Sequence, residues 1–238
     1  MPDRLIGILG GMGPEATLDL YRHILALTPA SKDQDHIRVL IYSNPKIPDR
    51  TMAIAEEGES PLDSLVESAM LLERAGAEMI AMPCNAAHYY LPGMQKKLEI
   101  PVLDMVGETC RELRRRHPSA KSAGLIASLG TVRSGVYQKS LAEAGIRILM
   151  PDDAEQREIE KGIAQVKAGT HTRSTQEIFH SIGNRLHESG AAAVILGCTE
   201  VPLAFDPNRV NYPTLNSTRI LAEAAVDWAL GKRDCKTS

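Results

Sequence analysis

The chemistry in this sequence starts from two cysteines. Cys84 closes the run Met79-Ile80-Ala81-Met82-Pro83-Cys84, and Cys198 closes Ala193-Val194-Ile195-Leu196-Gly197-Cys198. In both places a short apolar segment, fit for a buried strand, ends on a thiol. Two thiols so matched suit proton transfer at a weakly acidic carbon. A thiolate on one face removes an α-proton, and a thiol on the other returns one. A single base would have to shed its proton and cross the substrate. The thiolate needs a depressed pKa, which a helix N-terminus can supply. Cys84 precedes an expected helix start at Asn85, and Cys198 follows a strand directly. One buried cysteine is ordinarily an inert small residue; the matched pair is what argues for chemistry.

The elements that must hold these thiols alternate strand and helix. In the first half the strands are Arg4 to Leu9, His36 to Ser43, Glu78 to Met82 and the stretch around Pro101, Val102 and Leu103. Helices open at Pro14, after Ser60 and after Asn85, with a proline-bearing loop from Asn44 to Glu59. Proline suits a first helical turn, where its missing N–H is not needed. In the second half the strands are Ser122 to Ala127, Ile146 to Met150, Ala191 to Leu196 and Tyr212 to Leu215. One helix ends at Gly145, two run from Asp152 to Lys167 and from Ser174 to Ser189, and a last one spans Ser217 to Leu230.

Crossover helices imply parallel strands covered on both faces. The expected fold class is therefore α/β: two pseudo-symmetric domains, each a four-stranded, mainly parallel sheet flanked by helices. Residues 1–105 with 216–238 form the first domain, carrying Cys84, and 106–215 form the second, carrying Cys198. Ligands bind beyond the carboxyl ends of parallel strands, so the site is expected in the interdomain cleft with one cysteine on each wall.

Bulk properties exclude other classes. The chain has 238 residues, 43% hydrophobic and 24% charged, with a formal charge of -3. That balance argues against a nucleic-acid partner. The basic run Arg111, Arg114, Arg115, Arg116 and His117 reads as a solvated helix end. No apolar stretch approaches the ~20 residues of a membrane helix, and no signal-peptide pattern precedes Gly10, so the chain is read as cytoplasmic with no membrane partner. Disulfides are not expected there, and no cysteine pair has zinc-site spacing. Cys110, inside a helical pattern, and Cys235, in a polar tail, read as incidental.

The flanking residues resemble a known family. Met82-Pro83-Cys84-Asn85-Ala86-Ala87-His88 is similar to the P-C-N-T-A-H signature of the aspartate/glutamate racemases, and Gly197-Cys198-Thr199-Glu200 matches their G-C-T-E. Gly10-Gly11-Met12-Gly13-Pro14 looks like their first turn, and Ala127-Ser128-Leu129-Gly130-Thr131 like the A-T-x-G-T turn of their second domain. The resemblance implies racemisation by Cys84 and Cys198 without pyridoxal or any other cofactor, no metal, and a homodimer. Its implied substrate is a small acidic amino acid, aspartate before glutamate or a broader set. Positive charge at Lys46 and Arg50 agrees with that.

The resemblance also nominates binding residues. Arg50 matches a loop arginine that holds a substrate carboxylate, a task suited to its planar fork. Lys167 is the counterpart of a second cationic contact. Asn85 and Thr199, each following a cysteine, could hydrogen-bond substrate or cap a helix. Met12 and Thr131 lie in the two turns. Ala86 replaces the family's usual threonine, removing a hydroxyl from the substrate's surroundings. His88 reads equally as a thiol-tuning group or as a structural hydrogen-bonding residue. Glu200 would raise a neighbouring thiol's pKa by its charge and is not assigned as a base.

Rival readings remain at this point. Gly11-Met12-Gly13-Pro14-Glu15-Ala16 loosely fits a dinucleotide fingerprint, but Ser43-Asn44-Pro45 offers no acid for a ribose. An isomerase of unsaturated diacids on the same scaffold is compatible with two cysteines, whereas a one-cysteine decarboxylase fits poorly. A non-catalytic amino-acid-binding protein is the third alternative.

Overall fold

Each thiol lies at the carboxyl end of an interior strand of its own parallel sheet. The computed structural model describes residues 4–234; Cys235 lies outside them. The chain divides into two compact units. One takes in the chain as far as Met105 and resumes at Thr218, and the other is Val106–Ser217.

The first unit contains β1 (Ile6–Gly10), β2 (Val39–Ser43), β3 (Met79–Ala81) and β4 (Val102–Leu103), ordered β2-β1-β3-β4 and all parallel. Its helices are α1 (Pro14–Leu27), α2 (Arg50–Ile54), α3 (Leu62–Arg74) and α4 (Leu91–Gln95). Every residue of β1 and β3 is buried, as befits interior strands covered on both faces, while edge strand β2 is half-exposed. One face packs Ile6, Ile8, Leu20, Ile24 and Met79 with the helix Ser217–Ala229. The other packs Leu9, Leu65, Ala69, Leu72, Ile80 and Met82, and this cluster also takes in Met12, Ile47, Cys84 and Ala86.

The helix α5 (Met105–Arg116) carries the chain out of the first unit. Its basic end is paired: Arg111 with Glu108, and Arg115 and Arg116 with Glu112, whose carboxyl the Arg115 hydrogen bond helps lower to about 2. Arg111, Arg115 and Arg116 are thus partnered on their own helix.

The second unit contains β5 (Ser122–Ile126), β6 (Arg147–Leu149), β7 (Val194–Leu196) and β8 (Thr214–Asn216), ordered β6-β5-β7-β8 and again parallel. The same order recurs in both sheets. Helices α6 (Leu129–Ser134), α7 (Val136–Glu143), α8 (Asp153–Lys167) and α9 (Arg173–Glu188) flank the second, and α10 (Ser217–Ala229) returns to the first unit. Asp152 caps α8 with a reciprocal Glu155 box.

Three elements depart from the sequence expectations. The loop Asn44 to Glu59 contains the helix α2, capped by Asp49, which accepts from the N–H groups of Thr51 and Met52. The helix expected to end at Gly145 is two helices, because Gly135 adopts φ +69° between them. The helix after Asn85 is a 3-10 turn, Ala86–Tyr90, running into the five-residue α4.

The first turn depends on Gly11. Its φ is +93°, and a Cβ there would stand 2.3 Å from the Asn44 backbone. Gly11→Ala is expected to destabilise the fold by about 3 kcal/mol, from the left-handed backbone and the clash together. The urea midpoint checks this, and an unchanged midpoint would refute it.

Candidate active site

In the first unit, β1 and β3 are neighbours in register Ile8↔Ala81, so the turn Gly10–Gly13 lies beside Met82-Pro83-Cys84. The Asn44 N–H donates to the Gly10 carbonyl (3.2 Å), tying the loop that bears Arg50 to the same end of the sheet. Met12, Cys84 and Ala86 share one buried cluster, and Asn85 is buried between the last two. Arg50 stands at the start of α2, and its charge acts on Tyr90. The first unit thus gathers Met12, Arg50, Cys84, Asn85 and Ala86 at one end of its sheet.

The Arg50 guanidinium is held by its own loop. Nη1 donates to the carbonyls of Ile47 (3.0 Å) and Pro48 (2.6 Å), while the buried Nε has no partner. A buried donor left unmet costs about 1–3 kcal/mol. An arriving carboxylate could relieve it.

In the second unit, β5 and β7 are neighbours in register Ile126↔Leu196, which sets the Ser128–Thr131 turn beside Gly197-Cys198. Ser128 caps α6 by accepting from the Thr131 N–H. Cys198 is buried, and its Sγ donates to Glu200 Oε2 at 3.0 Å. The Thr199 hydroxyl donates to the same oxygen at 3.2 Å. Lys167, in the last turn of α8, is close enough for its charge to act on Cys198. Thr131, Lys167, Cys198 and Thr199 are therefore grouped in the second unit as Arg50 and Cys84 are in the first.

The model of the family described as Asp/Glu/Hydantoin racemase matches residues 9–225. The chain belongs to that family. Racemases are isomerases, and this chain is an amino-acid racemase by membership. It is similar to the broad specificity amino-acid racemase RacX of Bacillus subtilis (strain 168), 31% identical over 95% of this chain and 98% of that protein. Among solved structures it resembles Picrophilus torridus aspartate racemase, with a TM-score of 0.84 and 31% identity over 98% of this chain and 96% of that one. An aspartate racemase homologue from Pyrococcus horikoshii OT3 superimposes with a TM-score of 0.78 at 27% identity, covering 95% and 99%.

In this racemase the Cys198 thiol corrects one expectation. A helix N-terminus was expected to supply the depressed pKa of a thiolate. Burial instead pushes Cys198 well up, Glu200 adds to this by its charge and by accepting the S–H, and the Lys167 charge opposes it. The chain beyond Cys198 forms a short 3-10 turn, Val201–Ala204, and no long helix begins there. Burial and Glu200 both favour the thiol form of Cys198.

Glu200→Gln removes a negative charge from beside the sulfur and so favours the thiolate. The pH midpoint of Cys198 alkylation by iodoacetamide, followed on its peptide by mass spectrometry, is expected to fall. Lys167→Met is expected to raise it. Midpoints that stay put in both variants would remove the two charges from the Cys198 environment.

Two residues whose roles the sequence left open are bonded to the cysteines. Glu200 was judged only by the sign of its charge, and its hydrogen bond to Sγ needs the tight bend after β7. His88 is buried and bonded to the Cys84 carbonyl. Its signal was the spacing of four residues from Cys84. Among the described residues no group of three or more His, Cys, Asp or Glu side chains could hold a metal. No helix of the described residues is long and apolar enough to cross a membrane.

Proposed function

We propose that this racemase inverts a small acidic amino acid, aspartate foremost, by two-base proton transfer between Cys84 and Cys198, without a cofactor. The observation that carries this reading is the matched placement of the two thiols, each directly beyond an interior strand of identically ordered sheets. The thiols serve opposite faces of one α-carbon. In one direction Cys84, as thiolate, takes the α-proton, and Cys198 gives its S–H proton to the other face. The reverse direction exchanges the roles. The Glu200 carboxylate favours Cys198 as the resting acid, since it accepts that thiol's hydrogen bond.

Arg50 binds a substrate carboxylate through the guanidinium edge that its loop leaves unmet, and Lys167 supplies a second positive charge. Asn85 and Thr199, buried beside the cysteines, orient the carboxylate and the carbanion-like centre. Met12 and Thr131 line the two turns. The similarity to an aspartate racemase along nearly the whole chain supports aspartate. A wider substrate range is favoured by two observations. Ala86 is buried after Cys84 without a hydroxyl, and a similar protein is a broad specificity racemase. We further propose a cytoplasmic homodimer, testable by light scattering of the purified protein.

The deciding experiment incubates reduced protein with L- and D-aspartate, glutamate and several neutral amino acids in deuterated water, with no added cofactor. Early in the reaction the inverted product should carry an α-deuteron while recovered substrate keeps its proton. Label appearing equally in both would point to a single base. Exchange with no amino acid at all would overturn the reading, and maleate would then test the diacid isomerase.

A further inference from the structure

The stretch that presents Cys84 is short and sharply bent. The Cys84 N–H donates to the Met82 carbonyl (2.9 Å) across Pro83, so β3 is abandoned within two residues of its end. A thiol on such a turn needs its other side fixed. The Cys84 carbonyl receives His88 Nδ1 at 2.8 Å. On the far side of the ring, the Met105 N–H donates to Nε2 at 3.0 Å. Accepting that bond leaves Nε2 unprotonated, so the proton is on Nδ1 and is donated to Cys84. His88 is 5% exposed and spans from the exit of β3 to the exit of β4, adjacent strands in register Ala81↔Leu103. Met105 is also where the chain leaves the first unit.

The second unit solves the same problem differently. The Cys198 carbonyl accepts the Val201 N–H (3.1 Å), and the Ser217 hydroxyl donates to the Leu196 carbonyl (2.9 Å) from the exit of β8. Those braces are backbone and hydroxyl. The Cys84 brace is an imidazole whose two nitrogens must keep opposite roles.

We propose that His88 is a positioning residue for Cys84, fixing the thiol's loop to the Met105 N–H as the neutral Nδ1–H tautomer. The inference rests on the reading of Cys84 as a base. His88 does not itself exchange a proton with substrate.

The test compares the parent with His88→Ala and His88→Asn. Both kinetics and the separate iodoacetamide reactivities of Cys84 and Cys198 are measured by peptide mapping. Displacement of a catalytic group by about 1 Å can cost about 100-fold in rate. His88→Ala is expected to lower kcat by about 10- to 100-fold with KM within about twofold. It should raise Cys84 alkylation several-fold and leave Cys198 at the parent rate. His88→Asn, whose amide N–H can reach the Cys84 carbonyl, should restore the greater part of both. Should the alanine variant fail to fold, the asparagine variant carries the comparison, with a smaller selective effect on Cys84. Both thiols moving alike, or neither moving, overturns the proposal. If Cys84 alone responds while the parent protein shows no turnover, the brace stands and the two-base reading falls.

Discussion

Cys84→Ala and Cys198→Ala are each expected to cut kcat for racemisation by about 1000-fold or more. A positioned general acid or base contributes about 100- to 10,000-fold. A two-base path needs both groups in every turnover. Removing Cys84 removes the base in one direction and the acid in the other, and Cys198 is the mirror case. Neither variant should therefore spare one enantiomer. Both thiols are buried, at 7% exposure each, so alanine leaves only a small void and the folds should survive. Circular dichroism would check that. The measurement is polarimetry on L- and D-aspartate with the parent as reference. One variant racemising at the parent rate would leave a single essential thiol and refute the exchange of roles.

The second large effect falls on Arg50. Arg50→Ala is expected to raise KM for aspartate by about 10- to 100-fold, because a hydrogen bond to a charged group is worth about 1.5–3 kcal/mol. KM for a neutral amino acid should hardly change, and kcat should move far less than KM. Arg50→Lys keeps the charge but not the fork and should recover only part of the loss. Part of the alanine effect comes from the loop, since Nη1 also braces the Ile47 and Pro48 carbonyls. Equal losses on aspartate and on neutral substrates would assign Arg50 to loop structure alone.

The framework was legible in the sequence because interior parallel strands leave an unambiguous trace. The β1 and β5 segments are buried at every position, and apart from Ser122 they read as apolar runs. The crossover helices α3, α8 and α9 are long enough to show their period. The short elements were not legible, for physical reasons. The five residues of α2 cannot establish a helical period, and Pro45 and Pro48 mask the start, although Asp49 before Thr51 was a usable cap signal. The break at Gly135 needs a left-handed residue inside an otherwise helical pattern.

Within the site, the residues on either side of each cysteine could be named from motif. Their partners could not. The His88 bond to Met105 joins two strand exits, and Glu200 reaches the Cys198 sulfur only through a bend that sequence does not specify. The sign of the Glu200 effect was readable from charge. The dominance of burial over any helix end at Cys198 was not.

The route of the chain has a consequence for biosynthesis. The core of the first unit includes Leu221, Ala222, Ala225, Val226 and Trp228 of α10, with the Arg4 guanidinium over the Trp228 ring at 5.0 Å. Those residues are synthesised after the whole Val106–Ser217 unit, which is one uninterrupted stretch. The usual vectorial order, in which the N-terminal domain folds first, is therefore reversed. The unit bearing Cys198 can close while translation continues, and the unit bearing Cys84 must wait, with one side of its sheet uncovered, for α10 to emerge.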